Sequence, residues 1–330
     1  MIPMLIAALM AVFSFILAVL IYPKVIPFFR SIKVHQSVSE YALEEFKDKP
    51  ITPTLGGTVF VSIAAILSMV VFLFLHYVLK YNWQAEHFLI AWVSFVGYSL
   101  IGFWDDYKII KEGKNDGLKP WLKALLQLIL AIGVYLIFQS FENDLVLHLP
   151  VVNLALPLGI FYLLLILIMF VGTSNAVNIT DGMDGLAAGT SAIALMPFMV
   201  FAHSHQSYYL LILLASIFGA LLGFLLYNHK PAQIFMGDCG SLGLGGMFAA
   251  SALVLNKEII LIIVGGVFVW ETMTVILQIL AVKTIKKRIF KYTPIHYSFI
   301  ISGWREQGVV MMFYLVGLFC AIVGLWVGLL

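Results

Sequence analysis

YYLLILLASIFGALLGFLLY, residues 208–227, contains no charged side chain and no proline. Polar residues close it on both sides, His203-Ser204-His205-Gln206-Ser207 before and Asn228-His229-Lys230-Pro231 after. At a rise of about 1.5 Å per residue, a helix of this length crosses a hydrocarbon core of roughly 30 Å, so the stretch reads as one membrane span. Working outward, runs of the same kind recur at 4–22, 55–76, 88–104, 121–139, 157–174, 186–202, 242–255, 259–282 and 308–329. That makes ten expected spans. The composition agrees: 62% hydrophobic and 11% charged residues over 330 positions, with a mean hydropathy of +1.03. A water-soluble domain cannot hide so much apolar surface. The expected fold class is an all-α polytopic membrane protein, one integral-membrane domain over 1–330 with no separate soluble unit.

The run at 242–255 is short and rich in Gly and Ala, so tilting, kinking or shielding by neighbouring helices is expected there. The first run lacks a basic start and ends at Pro23-Lys24 rather than at a small-residue cleavage site, which makes it a retained span rather than a signal peptide. Two cysteines, Cys239 and Cys320, are too few and too scattered for a disulfide framework or a thiolate metal site. No nucleic-acid partner is expected, and the net charge of +2 says almost nothing beside the distribution of the cations.

Orientation follows the bias of Lys and Arg between connections rather than net charge. Odd-numbered connections hold Lys24, Arg30, Lys33, Lys47 and Lys49, then Lys108, Lys111, Lys114 and Lys119, then Lys230, then Lys283, Lys286, Lys287, Arg288, Lys291 and Arg305. Even-numbered connections hold only Lys80 and Lys257. The asymmetry persists to the last span, which supports ten crossings with odd connections cytoplasmic and both termini extracytoplasmic.

On that layout five carboxylates fall on the cytoplasmic side: Asp105, Asp106, Asp181, Asp184 and Asp238. An ionised carboxylate near hydrocarbon costs a few kcal/mol or more unless it is paired, hydrated or bound to a cation, so their convergence marks a functional site. GFWDDY at 102–107 closes the third span with adjacent acids whose repulsion favours a proton on one of them unless a cation is near, one to serve as base and the other as ligand or orienter. NAVNITDGMDGL at 175–186 spaces acceptors three residues apart among glycines that let backbone approach a ligand closely, suiting a nucleotide or a hydrated hard cation. PAQIFMGDCGS at 231–241 places an acid at the start of the eighth span, where free N–H groups also favour anions. KPITPTLGG at 49–57 puts a cation, hydroxyls and open backbone at the membrane edge. All-oxygen ligands without Cys/His spacing argue for Mg²⁺ or Mn²⁺ over zinc. A divalent cation beside phosphate-binding amides at a membrane boundary implies chemistry between a soluble phosphorylated donor and a lipid-embedded acceptor.

The ordered set TPTLGG at 52–57, GFWDD at 102–106, NAVNITDGMDGLA at 175–187, YNHKPAQIFMGDCGSLGLGG at 227–246 and RIFKYTPIH at 288–296 resembles the bacterial phospho-N-acetylmuramoyl-pentapeptide transferases. These belong to the polyprenyl-phosphate N-acetylhexosamine-1-phosphate transferases. The resemblance covers nearly the whole chain, and RIFKYTPIH followed by SGWREQGVV favours the muramoyl branch. It implies transfer of phospho-MurNAc-pentapeptide from UDP-MurNAc-pentapeptide to undecaprenyl phosphate, giving lipid I and UMP, in the bacterial plasma membrane with the site facing the cytoplasm. It also implies Mg²⁺ on Asp238, and Asp105 as the acid that takes the proton from the lipid phosphate, with Asp106 beside it. Asn178, Asp181, Gly182, Asp184 and Phe235 resemble the nucleotide pocket, while Lys49, Thr54 and Asn228 match further polar positions of the cleft. A homodimer among membrane lipid is implied by the resemblance only.

One stretch departs from the family. Its ninth-connection motif runs three histidines, an aromatic and a glutamate after Pro-Ile or Pro-Leu, whereas here the chain reads His296-Tyr297-Ser298-Phe299-Ile300. His296 alone is carried over, as a contact to the donor. The alternative donor is UDP-GlcNAc, as in the sister branch. A cation-coupled transporter is the reading from another class; it predicts acids near the midplane and internal repeats, and neither is found.

Overall fold

In hydrocarbon the main-chain N–H and C=O groups of an apolar run must pair within the segment, so the runs become helices. A computed structural model describes residues 1–32, 52–112, 117–141, 144–152 and 154–330. In chain order the helices are α1 (Ile2–Ser31), α2 (Gly56–Leu73, continued by a π-helical turn, Phe74–Val78), α3 (Ala85–Glu112) and α4 (Pro120–Ser140). After an antiparallel hairpin of β1 (Val146–Leu149) and β2 (Leu154–Pro157) come α5 (Phe161–Thr180), α6 (Leu186–Ser204), α7 (Tyr208–Asn228) and α8 (Gly237–Val254). The chain ends with α9 (Glu258–Val264), α10 (Gly266–Thr284), α11 (Ile295–Ile301) and α12 (Glu306–Gly328).

Among the described residues nine helices are long and apolar enough to cross a membrane: α1 to α7, α10 and α12. Their outer faces carry large bare apolar side chains, such as Leu9, Ile66, Leu164 and Phe319, each more than half exposed. Such faces are stable only against lipid. The remaining expected span, the eighth at 242–255, forms α8, which sits inside the bundle between α3 and α5, with every residue of 239–254 buried. Its Gly- and Ala-rich sequence answers to neighbouring helices rather than to lipid, and small residues let those neighbours come close. Gly102 of α3 makes the clearest case: a Cβ there would fall 2.1 Å from the Asp238 carbonyl oxygen.

Several boundaries differ from expectation. α1 continues through Pro23 and Pro27 to Ser31, as prolines in membrane helices often allow. α3 runs about two turns beyond the expected end, so Asp105 and Asp106 lie inside a helix rather than at its close. α8 begins at Gly237, ahead of the apolar run proper, and the expected span at 259–282 is broken at Gly265 into α9 and α10. The hairpin had no counterpart in the sequence reading.

Candidate functional site

The first N–H groups of any helix lack partners within it. At the start of α8 the amides of Asp238 and Cys239 are taken by the two carboxylate oxygens of Asp106, at 3.1 and 3.0 Å. Asp106 thus caps α8 from a neighbouring helix, with its carboxyl oxygens at the positive end of the dipole. The Asp238 side chain is freed to meet other groups. It accepts from Asn178 Nδ2 of the last turn of α5 at 2.7 Å and pairs with the Lys123 ammonium from the first turn of α4. Asn178 also donates to Ser241 Oγ at 2.9 Å, which fixes its amide. Asp105 points elsewhere, because successive residues on a helix are turned by roughly 100°. It is buried, accepts the Leu118 N–H at 2.8 Å and lies within the field of Lys123.

A second knot forms beside the first. In the turn between α5 and α6, Asp184 accepts the Ala232 N–H at 3.1 Å and gives its own N–H to Glu306 Oε1 at 3.3 Å. Glu306, at the head of α12, pairs with Lys230. Asn228 Oδ1 takes the Gly185 N–H at 3.1 Å while its Nδ2 donates to the Ile234 carbonyl at 3.0 Å. Asp181 joins the two knots. Burial and then the charge of Asp238 push its carboxyl up from 3.8 to about 7, with the Gly237 amide pulling the other way. Phe235 is held through its main chain: its N–H donates to the Pro53 carbonyl and its carbonyl accepts from Gly56 N–H, both at 2.8 Å. That pairing brings the 52–57 segment, with buried Thr54, against Gly237.

Of the residues singled out in the sequence, Asp105, Asp106, Asp238 and Asn178 meet at the head of α8. Asp181, Asp184, Asn228, Thr54 and Phe235 form the adjoining wall. Lys49 lies outside the described residues. His296 is wholly buried, with Nδ1 at 3.1 Å from Glu271 Oε2 and its ring against Gly182. Sequence reasoning missed Lys123, Glu271 and Glu306. The signal for Glu271 was available, since an acid within an apolar span is itself a flag. Among the described residues no three His, Cys, Asp or Glu side chains converge closely enough to enclose a metal. Mg²⁺ asks for less: it takes one or two carboxylates and completes its shell with water and phosphate. The all-oxygen side chains of Asp238 and Ser241 at one helix head fit that requirement.

A helical membrane bundle with acids, a lysine and an amide gathered at one end of a buried central helix defines an integral-membrane enzyme, and residues 88–256 match the model of the family described as glycosyl transferase family 4. The chain is similar to the phospho-N-acetylmuramoyl-pentapeptide-transferase of Geobacillus sp. (strain WCH70), 42% identical over 316 residues covering 96% of each chain. Those of Bacillus cytotoxicus and Anoxybacillus flavithermus are 41% and 40% identical, each over 95% or more of both chains. The protein belongs to the phospho-N-acetylmuramoyl-pentapeptide-transferase family and is a phosphoglycosyl transferase.

Proposed function

We propose that the chain transfers phospho-MurNAc-pentapeptide from UDP-MurNAc-pentapeptide to undecaprenyl phosphate, yielding lipid I and UMP for peptidoglycan synthesis. The observation that carries the reading is the junction of Asp238, Lys123, Asn178 and Asp106 at the head of α8, within a chain of this family. An oxygen of the acceptor phosphate forms a bond to the phosphorus that bears the sugar. The bond from that phosphorus to the uridylate oxygen breaks, and UMP leaves. Asp105 removes the proton when the acceptor carries one. Lys123 and Asn178 orient Asp238, and preorganised charge of this kind supplies most of the rate in phosphoryl transfer. Mg²⁺ held by Asp238 would supply charge neutralisation on the donor pyrophosphate. The 181–184 turn, Asn228, Thr54, Phe235 and Lys49 form the donor's nucleotide wall, with His296 behind it.

An apolar groove of about 330 Å³ supports a lipid acceptor. It is lined by Leu165, Ile168 and Met169 of α5 together with Phe268 and Met273 of α10, and it reaches Ala176, two residues from Asn178. The basic bias of the odd connections supports a site facing the cytoplasm of a bacterial plasma membrane, with both termini outside. The whole chain acts as one domain, and pairing of two copies is part of the proposal.

The test uses purified protein in detergent with Mg²⁺ and C55 polyprenyl phosphate, offered UDP-MurNAc-pentapeptide or UDP-GlcNAc, while UMP and lipid product are followed. Turnover on the muramoyl donor is expected. Turnover on UDP-GlcNAc alone would move the protein to the sister branch.

A further inference from the structure

Two wholly buried ionisable side chains lie behind the donor wall: His296 in the first turn of α11 and Glu271 within α10. A carboxylate inside a membrane-spanning helix is costly unless it is paired, and Glu271 Oε2 stands 3.1 Å from His296 Nδ1, a close polar contact without hydrogen-bond geometry. Neither ring nitrogen makes a hydrogen bond among the described residues, and Nε2 faces Gly182. A Cβ on Gly182 would stand 2.5 Å from Nε2 and 2.8 Å from Cε1, so only glycine permits this approach. Tyr297, tilted on the His296 ring at 4.2 Å between centroids, donates its hydroxyl to the Gly182 carbonyl at 2.9 Å. The position where the family motif has a glutamate is Ile300, buried in an apolar cluster with Val309 and Phe313. The carboxylate nearest His296 comes from α10.

We propose that Glu271 is a positioning residue: it holds His296 against Gly182 and thereby sets the 181–184 turn for the nucleotide end of the donor. His296, with no exposed surface, acts through the turn rather than on the ligand. This rests on the reading of that turn as donor wall.

The experiment measures kcat and both KM values for Glu271→Ala, Glu271→Gln and Glu271→Asp in detergent, with thermal unfolding as the fold control. In Glu271→Ala the donor KM is expected to rise about tenfold or more, while kcat and the polyprenyl-phosphate KM stay within about threefold. Glu271→Gln keeps the length and a hydrogen-bonding end, and it recovers most of the donor KM. An unchanged donor KM, an equal rise in both KM values, or a Gln variant no better than Ala overturns the proposal. Should Glu271→Ala fail to fold, Glu271→Asp decides, since it keeps the charge but shortens the reach to His296: a donor-only KM rise supports the proposal and a parental value overturns it. If the parent protein does not turn over UDP-MurNAc-pentapeptide, the functional reading fails and the same comparison is made on UDP-GlcNAc. Parental turnover with an unaffected Glu271→Ala variant sinks the positioning role alone.

Discussion

The antiparallel pair α5 and α8 carries a carboxylate at each end. At one end Asp238 meets Asn178 and Lys123 beside Asp105, Asp106 and Asp181. At the other, Glu258 just past α8 takes the hydroxyl of Tyr162 from the first turn of α5, and its second oxygen has no partner among the described residues. The same two helices thus hold one acid in a crowd of charges and one nearly alone. The crowded end brings charges of both signs, helix-head amides and loops from four connections to one place, where a phosphorylated ligand can exchange with them. The lonely end has the Tyr162 hydroxyl, the amide of Glu258 itself and the charge of adjacent Lys257, which suffice to anchor a helix start. Density of polar partners, rather than the mere presence of a buried acid, separates a site for chemistry from a joint in the scaffold.

The difference is broken most directly by neutralising the crowded end. Asp238→Asn and Asp105→Asn are each expected to lower turnover by on the order of 100-fold or more while the protein still folds, read as UMP release with Mg²⁺ present. Full turnover in a folded variant of either would put the chemistry elsewhere.

Neutralising the other end is expected to act on stability instead, with a definite sign. Burial, eased by the Tyr162 hydroxyl, pushes the Glu258 carboxyl up from 4.5 to about 7. The folded state therefore keeps this proton over a range where the unfolded chain has lost it. Stability contributed here is fully present below pH 4.5 and is lost as pH rises through about 7. The loss amounts to a few kcal/mol over that window. Thermal midpoints of the parent should fall across it relative to Glu258→Gln; parallel curves would deny that Glu258 is buried as described.

The pairing at the crowded end has its own measure. Lys123→Met and Asp238→Asn should couple in thermal unfolding, the double variant departing from additivity by about 0.5–3 kcal/mol. Strict additivity would mean that the ion pair does not form in the folded protein.

How much of this was legible in the sequence follows from what each residue answers to. Apolar runs answered to lipid, which admits only helices, so the spans facing outward were readable one by one. α8 answers to α3 and α5, and its glycines make sense only against Gly102 and its neighbours. That is why its segment looked short for a span and its start was misplaced. Asp105, Asp106, Asn178 and Asp238 were readable because acids and amides at span ends are expensive without a task. That Asp106 caps α8 while Asp105 faces Leu118 was not, because the helix was expected to stop at them. Lys123 fell inside the expected span 121–139 and was not singled out. Its role depends on α4 starting beside the head of α8, a tertiary fact with no local signature. Glu271 was visible as an acid in a span, but its partner lies across a connection in His296. Neither the break at Gly265 nor the short hairpin carries a periodic pattern long enough to read.

The smallest effect is the most discriminating, because it separates the Tyr162 hydrogen bond from burial as the control on Glu258. The hydroxyl favours the charged carboxylate and so holds its affinity for protons down. In Tyr162→Phe that restraint is gone, and Glu258 should keep its proton to higher pH than in the parent. The upper end of the stability slope then moves alkaline by about one pH unit, roughly 1 kcal/mol, the margin by which the hydroxyl bonds the ionised acid more strongly than the protonated one. Above that range the variant is less stable than the parent by the same small amount, because an ionised buried oxygen has lost its donor. Below pH 4.5 the two should come together, since both then carry a protonated acid. Identical curves for Tyr162→Phe and parent at all pH values would mean that the lonely end is not held by this contact, and the contrast between the two ends of α5 and α8 would then rest on the crowded end alone.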